Sequence, residues 1–177
     1  MPFTIRTINA ADAAALQPQL VTLLQHSVDD GASIGFLPPL SADEAGAYWQ
    51  SVQAALAGPY RVMLVAEEGA GANGEQVVGT VQLDLVAKTN APHRAEVIKL
   101  MVEPSRRRQG IGRALMQAIE AQAQALGRTT LVLDTREGDP SEQLYQGLGY
   151  VRVGVIPQYV ISEKGGRDGT VIYYKLL

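Results

Sequence analysis

The sequence predicts an α+β fold: a mixed, mostly antiparallel sheet of about seven strands with about four helices. Three features of the pattern lead there. Apolar stretches over 61–68, 77–86 and 94–102 follow one another with only turn-rich links between them, which reads as a meander. A helical repeat over 110–126 then separates the strand 94–102 from a β-branched, apolar run over 129–135. Strand, helix and strand in that order form a crossover, so these two strands are expected to lie parallel. Two short strands, 150–155 and 170–176, close the chain. No repeat, linker or low-complexity stretch divides the 177 residues, and a single domain over 1–177 is expected.

Each element has its own signal. Phe3 to Ile8 alternates apolar and polar residues, as a strand with one buried face does. Asn9 or Asp12 can cap the helix after it, which carries Leu16, Leu20, Leu23 and Leu24 and fades between His26 and Asp29. Residues 31–40 are rich in Gly and Pro yet apolar, so this loop either folds onto the core or walls a pocket. Ser41 and Glu44 stand at capping-box spacing and open a helix through Tyr48, Trp49, Val52 and Leu56 to Gly58-Pro59, with Trp49 read as core. Gly69 to Gly74 and Asn90-Ala91-Pro92 are turns. Pro104 stops the strand 94–102. The next helix places Ile111, Leu115, Ala118, Ile119 and Leu126 near one face and closes at Gly127. The run Thr129 to Thr135 predicts a strand buried on both faces. Ser141 to Leu148 makes a short helix stopped at Gly149, and a loop holding Gly165, Gly166 and Gly169 joins the last two strands.

Composition excludes several classes. Hydrophobic residues make up 46% and charged residues 19%, with a net charge of −3, so the chain has no general attraction for nucleic acid or anionic membrane; neither is expected as a partner. The absence of cysteine rules out a disulfide framework, a thiolate zinc site and a cysteine nucleophile, and agrees with a reducing compartment. No apolar run approaches the roughly 20 residues of a bilayer span, and the first residues lack a signal-peptide profile, so a cytoplasmic location is expected. His26 and His93 make no metal spacing, and no metal is expected.

One stretch carries chemistry. Leu100-Met101-Val102-Glu103-Pro104-Ser105-Arg106-Arg107-Arg108-Gln109-Gly110-Ile111-Gly112-Arg113 reads as a strand end, a basic turn and a helix start. A helix N-terminus offers unpaired amides and about half a positive charge, and glycines let a ligand come close to that backbone. With Arg106, Arg107, Arg108 and Arg113 alongside, the stretch is a site for an anion, best a phosphate. A P-loop is absent. A dinucleotide site fits less well, because Leu115 replaces the third glycine and a basic loop separates strand from glycines.

Arg107-Arg108-Gln109-Gly110-Ile111-Gly112 is similar to the Arg/Gln-x-x-Gly-x-Gly/Ala signature of the GCN5-related N-acetyltransferases, and Leu144-Tyr145-Gln146-Gly147-Leu148-Gly149-Tyr150 resembles that family's Leu-Tyr-x-x-Leu-Gly-Phe segment. The element order agrees over essentially the whole chain. Within the family the chain looks closest to the tabtoxin-resistance type, on Gly31 to Phe36, Arg94 to Val102 and Leu133-Asp134-Thr135. Gly138 and Ser141 depart from it, standing where members often carry Asn and Ala.

The resemblance implies an acetyl-CoA-dependent N-acetyltransferase with a splayed parallel strand pair, the gap lying between about Val102 and Asp134. Acetyl-CoA would be a co-substrate, its pyrophosphate on the amides of Gln109, Gly110, Ile111, Gly112 and Arg113 beside Arg107 and Arg108, its pantetheine arm on the backbone of Leu100 and Val102. A backbone N–H near Met101 or Val102 would stabilise negative charge on the thioester oxygen. Tyr145 matches the family's general acid, with an ordinary pKa near 10; packing against the cofactor is its other reading. Glu96 matches a strand glutamate used as base, or is a partner of Lys99. Asp134, at a buried strand end, orients the amine, acts as base or fixes the backbone. Ser33, Phe36, Glu96 and Asp134 would meet the acceptor. A small-molecule amine, such as an amino-acid-like toxin or antibiotic, is expected, with tabtoxinine-β-lactam as a named case. A protein or peptide amine, or a noncatalytic acyl-CoA-binding module, is the alternative. Both a monomer and a homodimer are compatible with the chain.

Overall fold

The computed structural model describes residues 3–69, 75–163 and 165–177; most of the expected turn over 69–74 lies outside the described residues. Strand β1 (Phe3–Ile8) leads into helices α1 (Ala10–Ala15), α2 (Gln17–Asp29) and α3 (Ala42–Leu56). Strands β2 (Arg61–Glu68), β3 (Gln76–Leu85) and β4 (Arg94–Val102) follow. Helix α4 (Ile111–Ala125) leads to β5 (Thr130–Arg136), α5 (Ser141–Gln146), β6 (Val151–Ile161) and β7 (Arg167–Leu176).

Local chemistry sets these boundaries. Asn9 accepts from the Asp12 amide while Asp12 reaches back to the Asn9 N–H, so both candidate residues serve one capping box. Ser41 and Glu44 make the same box for α3. The first helix divides in two at Leu16, with Pro18 in the first turn of α2, where its missing N–H is tolerated. That division makes the α-helices among the described residues five rather than four. The β6–β7 hairpin is longer than expected, because β6 runs on to Ile161 and Gly169 lies inside β7. Strand β6 runs through Pro157 because it is a sheet edge, where a missing N–H is tolerated, and its register shifts between Ile156 and Val160.

The strands form one mixed sheet in the order β1-β2-β3-β4-β5-β7-β6, in which, among the described residues, only β4 and β5 run parallel. Their ladder is short, with pairs only from Arg94–Thr130 to Glu96–Val132. Beyond it both strands continue, β4 to Val102 and β5 to Arg136, without pairing to each other. The pair is therefore splayed, and the gap opens earlier than expected, from Val97 and Leu133 onward.

Two cores flank the sheet. On one face α4 packs Ile111, Leu115, Met116 and Ile119 against Leu83, Val97, Leu131 and Leu133, joined by Tyr145, Tyr150 and Tyr173. Gly79 allows this closeness, since a Cβ there would lie 3.0 Å from the Leu115 side chain and the Met101 carbonyl. On the other face, Leu20, Leu23, Leu24, Trp49 and Val52 cover Ile8, Met63, Val65 and Met101. This second layer spans β1 to β4 and does not extend over β5. Strand β5 is consequently buried on one face only: Leu131 and Leu133 are buried and Asp134 is exposed, which corrects the expectation of a doubly buried strand. The face bearing Asp134 is the one on which a site can form.

Candidate active site

The gap between β4 and β5 leaves main-chain groups without ladder partners along one edge of residues 97–102. On its other edge β4 stays anchored to β3, with Met101 opposite Thr80 and Val102 opposite Gly79. Met101 points into the α1–α3 core, while Leu100 and Val102 lean toward α4. An amide-bearing arm laid in this gap would find peptide groups to pair with, as an added strand does.

Past Val102 the chain makes a short 3₁₀ turn over Pro104–Arg106 and enters α4 through Arg108 (φ 64°) and Gly110 (φ 86°). Both are left-handed, a conformation that glycine adopts freely and arginine at some strain. After Arg107, the next amide to find a carbonyl is that of Ala114, which donates to Gly110 O at 3.0 Å. Amides from Arg108 through Arg113 have no acceptor among the described residues, and no side chain caps the helix. They are the amides at which the sequence predicts an anion cradle. A Cβ on Gly112 would stand 3.6 Å from Leu144 and 3.7 Å from Val102, so cradle, strand end and α5 converge here.

The arginines divide. Arg106 donates to the buried Glu68 at 2.8 Å, and Arg107 is paired with Asp30 at the end of α2. Arg113 donates to Gly147 O at 3.2 Å. Arg108 alone of the four has no ion pair or hydrogen bond among the described residues.

Tyr145 sits on α5 beside this convergence. It is buried, and its ring meets Tyr150 edge-on at 5.9 Å and Tyr173 at 6.0 Å. The expected ordinary pKa does not hold: burial first, then Asp139 and Asp134, push the phenol above its usual value. It therefore keeps its proton throughout the neutral range. Helix α5 is held by side chains. Tyr173 donates to Glu142 at 2.5 Å and accepts from Gln146 at 3.2 Å, and the Thr135 and Ser141 hydroxyls bond at 2.7 Å. The residues that depart from the family pattern are thus occupied: Ser141 ties α5 to β5, and the Gly138 amide donates to Glu142 at 2.8 Å.

The open face of the sheet gathers charge. Glu96, opposite Asp84 on β3 and Val132 on β5, reaches solvent, yet its pKa is raised, by burial first and then by Asp134 and Asp84, against Arg94 and Arg61. Asp134 is held by the buried Thr170, whose hydroxyl lies 2.8 Å from its carboxylate and 3.0 Å from Thr135 O. Arg61 donates to Gln82 at 2.6 Å and stands 3.4 Å from Asp84, while Gln82 donates to the Tyr48 hydroxyl at 3.0 Å.

The loop 31–40 borders this face. Phe36 meets Tyr48 edge-on at 5.4 Å and joins the α1–α3 core with Ile34, so the loop packs on the core at the border of this face. Ser33 and Phe36 line a small residual cavity of about 20 Å³ with Arg136, Ile161, Glu163 and Asp168. Ser33 thus faces the β6–β7 hairpin. Glu96 does not pair with Lys99: the Lys99 ammonium instead donates to Ile34 O. Lys99, Tyr48 and Thr170 were not singled out from the sequence. A lysine inside Val-Ile-Lys-Leu-Met-Val was the one available signal, since a charge in an apolar strand needs a reason.

Comparison with known proteins agrees with this geometry. Residues 28–150 match the profile of the Acetyltransferase (GNAT) family. A solved structure of an acetyltransferase from Salmonella typhimurium with its cofactor acetyl-CoA aligns at TM-score 0.75 and 22% identity, over 100% of this chain and 95% of that one. A protein assigned as a phosphinothricin N-acetyltransferase aligns at TM-score 0.74 and 21% identity, over 99% of each chain. A curated relative, the ribosomal protein bS18-alanine N-acetyltransferase of Haemophilus ducreyi, is 30% identical over 79 residues, which are 44% of this chain and about half, 54%, of the relative.

Proposed function

We propose, from the premise that this chain belongs to the acetyltransferase (GNAT) family and is an acetyl-CoA-dependent N-acetyltransferase, that its acceptor is the amine of a small, amino-acid-like molecule. The observation that carries the small acceptor is the narrowing of the open face at one end. The loop 31–38 meets the β6–β7 hairpin there, with only about 20 Å³ left between them and a Gly31 Cβ position 3.2 Å from Glu163. A peptide chain would need that end open. The proposal also fits the resemblance to the tabtoxin-resistance type and the likeness to a protein assigned to phosphinothricin, itself an amino-acid-like toxin. The second reading, acetylation of a protein alanine, is favoured by the curated relative and by the likeness to a ribosomal-protein-alanine N-acetyltransferase from Brucella melitensis.

Acetyl-CoA supplies an acetyl group activated as a thioester. The amides of Gln109 to Arg113 hold its pyrophosphate, Arg108 adds charge, and the free edges of Leu100 and Val102 take the pantetheine arm. Arg107 takes a lesser part, being engaged with Asp30. Glu96, or a water on it, accepts the proton that the acceptor amine must lose, and its raised pKa brings it nearer to the task. Asp134, fixed by Thr170, orients the amine. A backbone N–H at Met101 or Val102 faces the charge that develops on the thioester oxygen. As the C–N bond forms and the C–S bond breaks, Tyr145 donates its phenolic hydrogen toward the departing sulfur. Burial makes full transfer harder and hydrogen-bond donation its main part. Phe36 and Ser33 wall the acceptor.

Two matched sets of acceptors test the reading: free amino acids and their analogues, including phosphinothricin, and peptides with N-terminal alanine. CoA release and product mass are followed for each. Turnover of the free amino acids at least tenfold above the peptides is expected. Turnover confined to peptides overturns the small-acceptor reading.

A further inference from the structure

Lys99 is the most unusual side chain on the open face. Strand β4 carries a bulge here: Gln82 faces Ile98 and Thr80 faces Met101, so β4 has two residues where β3 has one. Lys99 takes the strain, at φ 54°. Bulges re-aim side chains next to sites, and this one turns a lysine toward the acceptor loop. Its Nζ donates to Ile34 O and lies 5.6 Å from the centroids of both the Phe36 and Tyr48 rings. Gly35 makes room for it, since a Cβ there would stand 3.2 Å from the ammonium. No carboxylate pairs with it among the described residues, and one carbonyl uses one of its three N–H donors. Burial, together with Arg61, pulls its pKa down, while Asp134 opposes them.

A half-buried ammonium with rings at its back and no counter-ion is an incomplete ion pair. Three residues earlier on the same strand stands Glu96, and Asp134 on β5 acts electrostatically on both. The face therefore offers carboxylates for a cation and one ammonium for an anion. Resting on the small-acceptor reading above, we propose that Lys99 is the anion-recognising half of the acceptor site: the acceptor carries a carboxylate or like acidic group close to its amine, held by Lys99 while the amine faces Glu96 and Asp134. A free amino acid has that pair of charges; a peptide N-terminus lacks the nearby anion.

The test uses the whole protein with acetyl-CoA and a panel of free amino acids, each beside its carboxamide and its decarboxylated amine, and peptides with N-terminal alanine as a control. Wild type is expected to prefer each acid over its two neutralised forms by about tenfold to a hundredfold in kcat/KM, the range of a charged hydrogen bond. Lys99→Met should erase that preference by raising KM for the acids alone, with kcat within about twofold, and Lys99→Arg should restore part of it. A wild type that accepts acids, amides and amines alike overturns the inference while the small-acceptor reading stands. So does a Lys99→Met that slows all three forms equally, since Lys99 then only pins the loop at Ile34. Acetylation of the peptides alone overturns both. An absence of all turnover is resolved by titrating the acids into CoA-loaded protein: saturable binding lost in Lys99→Met supports the inference, and no binding overturns it.

Discussion

The proposed cradle ahead of α4 and the charged face around Glu96 adjoin the same pair of splayed strands, yet they are made of different material. The cradle is main chain: amides from Arg108 to Arg113, two left-handed residues and the bare edge of β4. The proposed acceptor face is side chain, drawn from the loop 31–40, α3, β4, β5 and β7 through Phe36, Tyr48, Glu96, Lys99, Asp134 and Thr170. A backbone site tolerates change in its side chains and binds what all members of a family bind. A side-chain site can be rebuilt one residue at a time, so acceptor choice belongs there. Variants that act on the two regions should separate in what they move, cofactor affinity on one side and turnover or acceptor choice on the other.

Tyr145→Phe should have the largest effect. If the phenol donates toward sulfur, its loss lowers kcat by about a hundredfold or more. Binding of acetyl-CoA, measured by titration, should change less than about threefold, and the Tyr150 and Tyr173 contacts should keep the ring in place. An unchanged kcat removes the donor role and leaves Tyr145 as a packing residue.

Glu96→Gln comes next, with an expected loss of about tenfold to a hundredfold in kcat, because water can take over the proton. The pH profile gives the sign. Glu96 must be ionised to act, and its pKa is raised by burial and then by Asp134 and Asp84. Activity should therefore fall, as pH drops, at a point above the ordinary carboxylate range. Asp134→Asn removes a negative neighbour, stabilises the ionised Glu96 and shifts that limb toward acid. A limb that stays put in both variants belongs to another group.

On the cradle side effects should be smaller. Arg108→Ala is expected to raise KM for acetyl-CoA about three- to tenfold, in keeping with one charge-assisted contact at a solvated site. Arg107→Ala should do less, because Asp30 already engages that guanidinium. Neither should weaken a truncated pantetheine thioester that lacks the pyrophosphate. Equal losses for Arg107 and Arg108 would mean that the Asp30 pair opens when the cofactor arrives.

The same contrast explains what could be read in advance. The cradle lies within one continuous stretch, and Gly110, Gly112 and the helical repeat after them announce it. The meander, the crossover and both capping boxes are local patterns of the same kind. The acceptor face has no such signature. That Asp134 is exposed follows from the α1–α3 layer stopping at β4, a fact of packing. That Lys99 turns away from Glu96 follows from a bulge, and φ 54° at a lysine has no mark in the sequence. That β6 runs on through Pro157 follows from its place at the edge, where a breaker is tolerated, and which strand is the edge is settled by topology.

Helix α5 belongs to both regions, and Ser141→Ala asks how it is held. Six residues are too few for a helix to stand by its own ladder, and no side chain caps it. The Thr135–Ser141 bond at 2.7 Å and the Tyr173–Glu142–Gln146 set replace a cap. Removing the Ser141 hydroxyl should destabilise the fold by about 0.5–1.5 kcal/mol, since Thr135 is half-buried and water can replace the lost partner. Thermal unfolding should show a fall in Tm of about 1–5 °C. If side chains merely fasten α5 in place, kcat stays within about twofold, because Tyr173, Glu142 and Gln146 still hold the helix. A tenfold loss of kcat with little change in Tm would instead mean that this one bond aims Tyr145, and that the chemistry depends on the side-chain half of the molecule even at its boundary with the backbone cradle.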